Sequence, residues 1–417
     1  MSSSSTVEGS KKTAVKSETR LTFGIEIEYL LATVHPVHPA PHPKDPREKD
    51  GKKLSNIDEV NDDVGERLKA KGIPVTTTVW ETDTSMSGAE LRTKWHLKSD
   101  SSVNPKERIH PDYREFGMEI SSPPYYYDQA SRELIPVVLE TLRNNYLVRV
   151  NESAGFHVHV GNEYDGFSFP VFRNLVAILY TYERQIRLMV SAERVQTSQT
   201  FCRSFTWCTF ATSAPDITRL EFLNHILSYQ NPDDWKQFWT DMTPGVGGRL
   251  AFNLVNLKLP YETEERTIEF RLHPGTLDPE VMLNWVHFCI KVTEKACHIP
   301  NENELYELLR RDVEKPMGIA GEDCSTLDFL MWLGCPAQAY YYGAPSVADP
   351  QALGERIRED ERMEQVSRAL AVLKRKEWVE RMRRAQHGRD FPGDDADFEE
   401  VESECVGEFI SMVSLII

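Results

Sequence analysis

The chain predicts an α+β fold, a mostly antiparallel sheet with helices on one side. Two observations carry this. Four separate stretches, at 24–28, 116–121, 156–161 and 266–272, alternate apolar and polar residues with the period of two that marks a half-buried strand. Between and beyond them, apolar residues recur three and four apart, as on amphipathic helices.

In the first strand, Gly24-Ile25-Glu26-Ile27-Glu28, alternation buries Ile25 and Ile27 and projects Glu26 and Glu28 together from the other face. Residues two apart lie roughly 6.5 to 7 Å apart along a strand. Both carboxylates can then grip neighbouring cations, which in two-metal sites sit about 3.5 to 4 Å apart. Next comes His35-Pro36-Val37-His38-Pro39-Ala40-Pro41-His42-Pro43, which can neither donate a regular ladder of hydrogen bonds nor form a helix, and reads as a surface loop. A short helix over Asp58–Lys71 closes at Gly72 with Pro74 beyond, and Val75–Trp80 follows as a strand.

The stretch Trp95–Ser102 leads through a polar link to Phe116–Ser121, where Met118 and Ile120 face a core and Glu119 faces away. Pro123 and Pro124 end that strand, Tyr125–Tyr127 follow, and a helix runs over Ser131–Asn144 with a kink expected at Pro136. The tyrosines either pack in the core or stack on a base. Val148–Val150 and Phe156–Gly161 are extended, with His157 and His159 on one face of the latter and Phe156, Val158 and Val160 on the other. Phe169–Met189 is an amphipathic helix, and Arg194, Cys202 and Arg203 sit in the loop beyond it.

Arg219–Tyr229 is helical, and Leu250–Leu257 reads as a buried strand partnered by 266–272. There Ile268, Phe270 and Leu272 share one face and Thr267, Glu269 and Arg271 the other. Asp278 caps a helix that has Pro279 in its first turn and runs to Cys297. Beyond it, Asn303–Val313 is helical and 314–350 is broken by Gly and Pro, with an aromatic patch at Tyr340–Tyr342. Arg356–Gln386 is a charged helix of alternating sign, read as a solvated surface helix, and Asp390–Glu408 is acidic.

The net charge of −17 over 417 residues argues against nucleic acid and anionic membranes as partners, since both select basic surfaces. Seven cysteines with no C-x-x-C pair read as thiols in a reducing compartment. No run reaches the roughly 20 apolar residues of a membrane span, and the first 19 residues hold no apolar signal core, so a cytoplasmic location is expected.

The polar face of the four strands thus carries Glu26, Glu28, Glu119, His157, His159, Glu269 and Arg271, a set of hard-cation ligands with one phosphate-binding fork. Carboxylate-rich sites suit Mg²⁺ or Mn²⁺. A zinc hydrolase using His157, His159 and one carboxylate is the alternative, and a non-catalytic nucleotide- or partner-binding protein a third reading. No Walker A, no G-x-G-x-x-G after a strand and no G-x-S-x-G is present, so a bound nucleotide would be held through metals and arginine. Arg249 and Arg203, beside the motifs, are candidates for phosphate or substrate carboxylate, or else surface ion pairs.

In order along the chain, Gly24-Ile25-Glu26-Ile27-Glu28, Trp95 with Asp100-Ser101-Ser102, Met118-Glu119-Ile120-Ser121-Ser122-Pro123-Pro124, Gly155-Phe156-His157-Val158-His159-Val160-Gly161, and Thr267-Ile268-Glu269-Phe270-Arg271 with Gly275-Thr276-Leu277-Asp278 resemble the amidoligase family of the glutamine synthetase and glutamate–cysteine ligase superfamily. The resemblance covers roughly Leu21 to Pro300. It implies a glutamine synthetase-like fold, with an active-site funnel in a curved sheet and helices on the outer face. It also implies an ATP-dependent carboxylate–amine ligase that works through an acyl phosphate, with small-molecule or peptide acids and amines as substrates.

By the same resemblance Glu28 and Glu119 hold the metal nearer the substrate, and Glu26, His157 and Glu269 the metal on the ATP phosphates. His159 lies near the nucleotide, Arg271 faces the transferring phosphoryl group, and Asp100 binds or deprotonates the amine. The expected organisation is a disordered 1–19, a catalytic domain at 20–310 with a His/Pro-rich insertion at 35–56, a helical extension at 311–388 and an acidic tail at 389–417. The last helix or the tail would meet any protein partner.

Overall fold

A computed structural model describes residues 20–34, Asp45, Leu54, and residues 56–78, 88–195, 201–259, 266–318 and 324–386. The expectations for 1–19, the His/Pro stretch at 35–43, Trp80 and the acidic tail fall outside them. Among the described residues one sheet holds nine strands: β1 (Thr22–Val34), β2 (Val75–Thr77), β3 (Trp95–Ser99), β4 (Tyr113–Ser121), β5 (Tyr125–Tyr126), β6 (Leu147–Arg149), β7 (Gly155–Gly161), β8 (Phe252–Asn253) and β9 (Thr267–Pro274). Their order is β2-β3-β4-β1-β7-β9-β8, with β5 and β6 also paired to β1. Every pairing is antiparallel except β2 with β3, so the sheet is open and mostly antiparallel.

Register follows from burial, because a slip of one residue would turn every apolar side chain of a strand to the wrong face. Ile25, Ile27, Met118, Ile120, Phe156, Val158, Val160, Ile268 and Phe270 form one buried layer. Leu68, Leu139, Phe172, Leu175, Trp285 and Phe288 of the helices Ile57–Ala70, Gln129–Asn145, Phe169–Thr181 and Pro279–Cys297 join the same core. Each such side chain contributes about 1.5 to 3 kcal/mol by leaving water. Asp278 caps the last of these helices as expected, accepting from the backbone N–H groups of Glu280 and Val281, with Pro279 at the first position.

Four expectations are corrected. Trp95–Ser99, assigned no element above, is β3, with Trp95 and Leu97 buried and His96 and Lys98 on the polar face. Leu250–Leu257 is not one strand: only Phe252–Asn253 is extended and Val255–Leu257 is a 3₁₀ turn. The indoles of Trp239 and Trp235 donate to the Leu254 and Leu257 carbonyls, each at 2.7 Å, and take acceptors that a longer ladder would use. The amphipathic run from Phe169 divides into Phe169–Thr181 and Glu183–Arg187 at Tyr182, whose φ/ψ of −104°/15° leaves the helical region and whose hydroxyl donates to Asp312.

The fourth concerns the C-terminal part. Within 314–350 the structure has two further helices, Thr326–Trp332, opened by a Ser325–Asp328 capping box, and Pro336–Ala348. The charged helix Pro350–Gln386 is not merely solvated. Arg187 donates twice to Asp360, at 2.7 and 2.8 Å, and once to Glu364 at 2.9 Å. Trp207 donates to Ser367 at 2.7 Å, and Val366, Leu370 and Ala371 enter the main core. The six described cysteines are free thiols, all buried but Cys297. No described helix is long and apolar enough to cross a membrane.

Candidate functional site

Across the polar face of the sheet the register lays side chains in rows. Lys98 faces Glu119, which faces Glu28; Ser121 faces Glu26, which faces His157; His159 faces Glu269, which faces Asn253. His157 Nδ1 lies 3.0 Å from Glu26, 3.6 Å from Glu28 and 3.7 Å from Glu269, and His159 Nε2 lies 3.2 Å from Glu26. Two groups have ligand atoms all within 4.8 Å of one another: Glu26, His159 and Glu269, and Glu28, Asp100 and Glu119.

Asp100 reaches this face because the chain after β3 crosses directly over β4 at Gly117. A methyl there would lie 2.2 Å from the Val103 carbonyl oxygen and 2.3 Å from that of Asp100, so only glycine allows the crossing. Asp100 N–H donates to the Gly117 carbonyl at 3.0 Å, and its carboxylate accepts from Ser102 N–H and Oγ at 2.7 Å each.

The acids are held by neighbours. Ser121 Oγ donates to Glu119 at 2.6 Å and Lys98 Nζ lies 3.2 Å from its other oxygen. Gly155 N–H donates to Glu28 at 2.5 Å and Asn253 Nδ2 to Glu269 at 2.6 Å. His159 Nδ1 lies 3.2 Å from Thr267 Oγ1, which turns Nε2 toward the acids. Arg271 pairs with Glu269 through Nη1 and donates from Nε to the Phe201 carbonyl at 2.9 Å.

Crowded carboxylates cannot all ionise at ordinary pH. Burial, helped by Glu26, pushes Glu119 up to about 8 against the opposing charge of Lys98. Burial acts the same way on Glu26 and Glu269. There His159 and His157 outweigh it and hold Glu26 well below the usual range, while Arg271 and His159 lower Glu269. Desolvation of Arg271 is likewise outweighed, by Glu269, Glu26 and Glu28, which raise it.

His157 Nε2 is buried and has no hydrogen-bond partner among the described residues. The donor set around it, carboxylates with two imidazoles and no thiolate, faced by His157 through Nδ1, fits a hard divalent cation better than zinc.

The structure therefore brings together Glu26, Glu28, Asp100, Glu119, His157, His159, Glu269 and Arg271. The grouping differs in two details from the sequence expectation. His159 joins Glu26 and Glu269 in the tighter trio, with His157 beside it, and Asp100 joins Glu28 and Glu119. Two candidates stand apart. The Arg203 guanidinium lies 3.9 Å above the Trp207 ring and donates to the Gly247 carbonyl at 2.9 Å, and Arg249 is exposed. Tyr125 and Tyr127 pack against Phe23, as core residues do. Lys98, Ser121, Asn253 and Arg194 border the site without having been expected there. Lys98 and Ser121 were legible in the alternations of Trp95, Leu97 against His96, Lys98 and of Met118, Ile120 against Glu119, Ser121; Asn253 and Arg194 have no comparable signal.

No curated protein matches the chain. Among solved structures, a bifunctional glutathione synthetase from Pasteurella multocida matches with 13% identity and a TM-score of 0.30 over 87% of this chain and 53% of that one. The chain spans about half the length of that structure, and a likeness of this degree carries no argument. Residues 19–293 match the family described as "Putative amidoligase enzyme", and all eight clustered residues lie within that span. By this match over more than half its length, the chain belongs to the amidoligase family.

Proposed function

We propose that the protein is an ATP-dependent carboxylate–amine ligase that forms an amide or peptide-like bond through an acyl phosphate, in a curved, glutamine synthetase-like funnel. One observation carries the proposal: strands far apart in sequence deliver four glutamates and two imidazoles to one face in register, with the Arg271 guanidinium paired to Glu269 among them. Glu28, Asp100 and Glu119 would hold one Mg²⁺ or Mn²⁺, and Glu26, Glu269 and the two histidines another. Bound there, such ions neutralise phosphate charge.

The remaining work falls to the chain. Arg271 meets the charge on the transferring phosphoryl group, for which it exchanges its pairing with Glu269. Asp100, the least enclosed of the acids beside Glu28 and Glu119, accepts the proton of the incoming amine. The amine's lone pair forms the new C–N bond as the C–O bond to phosphate breaks, and phosphate departs with that electron pair. Small-molecule or peptide acids and amines are the proposed substrates, and the cytoplasm, where the buried thiols stay reduced, is the proposed compartment. Residues 20–310 form the proposed catalytic unit and 311–388 its extension.

The test is phosphate release from ATP with Mg²⁺ across a panel of amino acids, polyamines and peptides. Glu269→Gln and Glu26→Gln should each lower turnover at least about 100-fold. Full activity in both variants, or turnover without nucleotide by a protein that purifies with zinc, would overturn the assignment and favour the hydrolase.

A further inference from the structure

We propose that Arg194 is the residue that seats the carboxylate of the acid substrate. The identity of the anion rests on the ligase reading; the existence of an anion seat does not.

Arg194 lies in the 3₁₀ turn Ala192–Val195, which packs on β9, and only 5% of its surface is exposed. A guanidinium that deep normally has a carboxylate partner, since burying it alone costs several kcal/mol. Two other buried arginines follow this rule. Buried Arg173 pairs with Glu302 at 2.8 Å and buried Arg187 with Asp360 at 2.7 Å. Arg194 departs from it: Nη2 donates to the Arg271 carbonyl at 3.2 Å, and Nε is buried with no partner among the described residues.

Its direction is fixed by Gly155. A methyl at Gly155 would lie 2.6 Å from Arg194 Nη2 and 2.5 Å from His157 Nε2, so the guanidinium and the orphaned imidazole nitrogen converge on the notch that this glycine leaves in the sheet face. The N–H of the same glycine holds Glu28, which places the notch beside the Glu28–Asp100–Glu119 group. Neighbours hold the arrangement: Cys202 Sγ donates to the Arg194 carbonyl at 3.1 Å, and the Phe201 carbonyl accepts from Arg271.

An acid substrate adds negative charge beside a cluster of carboxylates, and needs a cation on its own side. Arg271 is engaged with Glu269, whereas Arg194 presents an uncommitted edge, and its planar fork suits a carboxylate. Arg194 is thus a positioning and specificity residue that stands ready before substrate arrives.

The test is thermal denaturation of the full chain with Mg²⁺, titrated with acetate and with acetamide as the uncharged control, with and without a non-hydrolysable ATP analogue. In the native protein acetate should raise the melting temperature and acetamide should not. Arg194→Met should weaken the apparent acetate affinity at least 10-fold and Arg194→Lys less, because lysine keeps the charge and loses the fork. Arg194→Met without ligand should melt no lower than the native protein, and its affinity for the analogue should stay within about threefold.

Three results would overturn the proposal. One is an acetate response that is equal in native and Arg194→Met protein. Another is a ligand-free Arg194→Met or Arg194→Lys that melts well below native, which marks a structural role. The third is a 10-fold loss of analogue affinity, which assigns the arginine to nucleotide phosphate. If the analogue fails to bind native protein while the acetate response still depends on Arg194, the ligase reading falls and the anion seat stands.

Discussion

Gly117 decides where Asp100 sits. Gly117→Ala would set a methyl against two backbone carbonyls, so the 100–103 segment must lift from the sheet. The expected cost is about 1 to 3 kcal/mol, read from urea denaturation. Divalent-cation affinity should fall with it as Asp100 leaves Glu28 and Glu119. At Asn253 the expectation differs in kind, because Asn253→Ala removes a donor and leaves a buried Glu269 oxygen short of one partner. That should cost about 1 to 3 kcal/mol without metal and less with Mg²⁺, a difference that parallel melts would reveal. The acids and imidazoles were legible because a period of two is local information. Arg194 and Asn253 were not, since the first depends on which segment packs over Gly155 and the second on which strand pairs with β9 at Glu269.

At the scale of elements, the helix Pro350–Gln386 shows how alternating charge misleads. Asp360 and Glu364 look like solvent-facing acids in the sequence, yet their partners Arg187 and Arg219 lie on helices much earlier in the chain. Asp360→Ala should lose about 3 to 5 kcal/mol by leaving Arg187 underpaired in the interior. A double-mutant cycle with Arg187→Met would isolate the coupling; a coupling near zero would show that the pair is mere packing. The same limit explains the strand overestimated at 250–257. Its apolar run satisfied the strand pattern, but the two indoles that claim its carbonyls come from a helix the pattern did not connect to it.

For the whole molecule, stability against pH is set in part by that docked helix. Burial would raise Glu364, but Arg187, Arg219 and Arg184 outweigh it and hold the carboxyl at about 2. A lowered folded-state value means that its contribution is present above the ordinary 4.5 and is lost as pH falls from there toward 2. Glu183, beside Arg187, runs the other way: burial raises it to about 7, so its contribution is full below 4.5 and is lost as pH rises through 7. Each shift is worth on the order of 3 kcal/mol. Urea midpoints measured from pH 2 to pH 8 should therefore peak near about pH 5, and Glu183→Gln should lessen the fall on the alkaline side, where Glu119 also acts, and leave the acid side unchanged. A profile that rises steadily to pH 8 would contradict this.

β9 enters the sheet beside β7 and brings Glu269 and Arg271 to Glu26 and the histidines from the far side of the chain. Its arrival has a temporal consequence. A polypeptide still leaving the ribosome, with Thr267 not yet made, lacks Glu269 and Arg271 and cannot yet assemble the cluster. Competence would switch on late in synthesis, as a zipper closes on its final teeth.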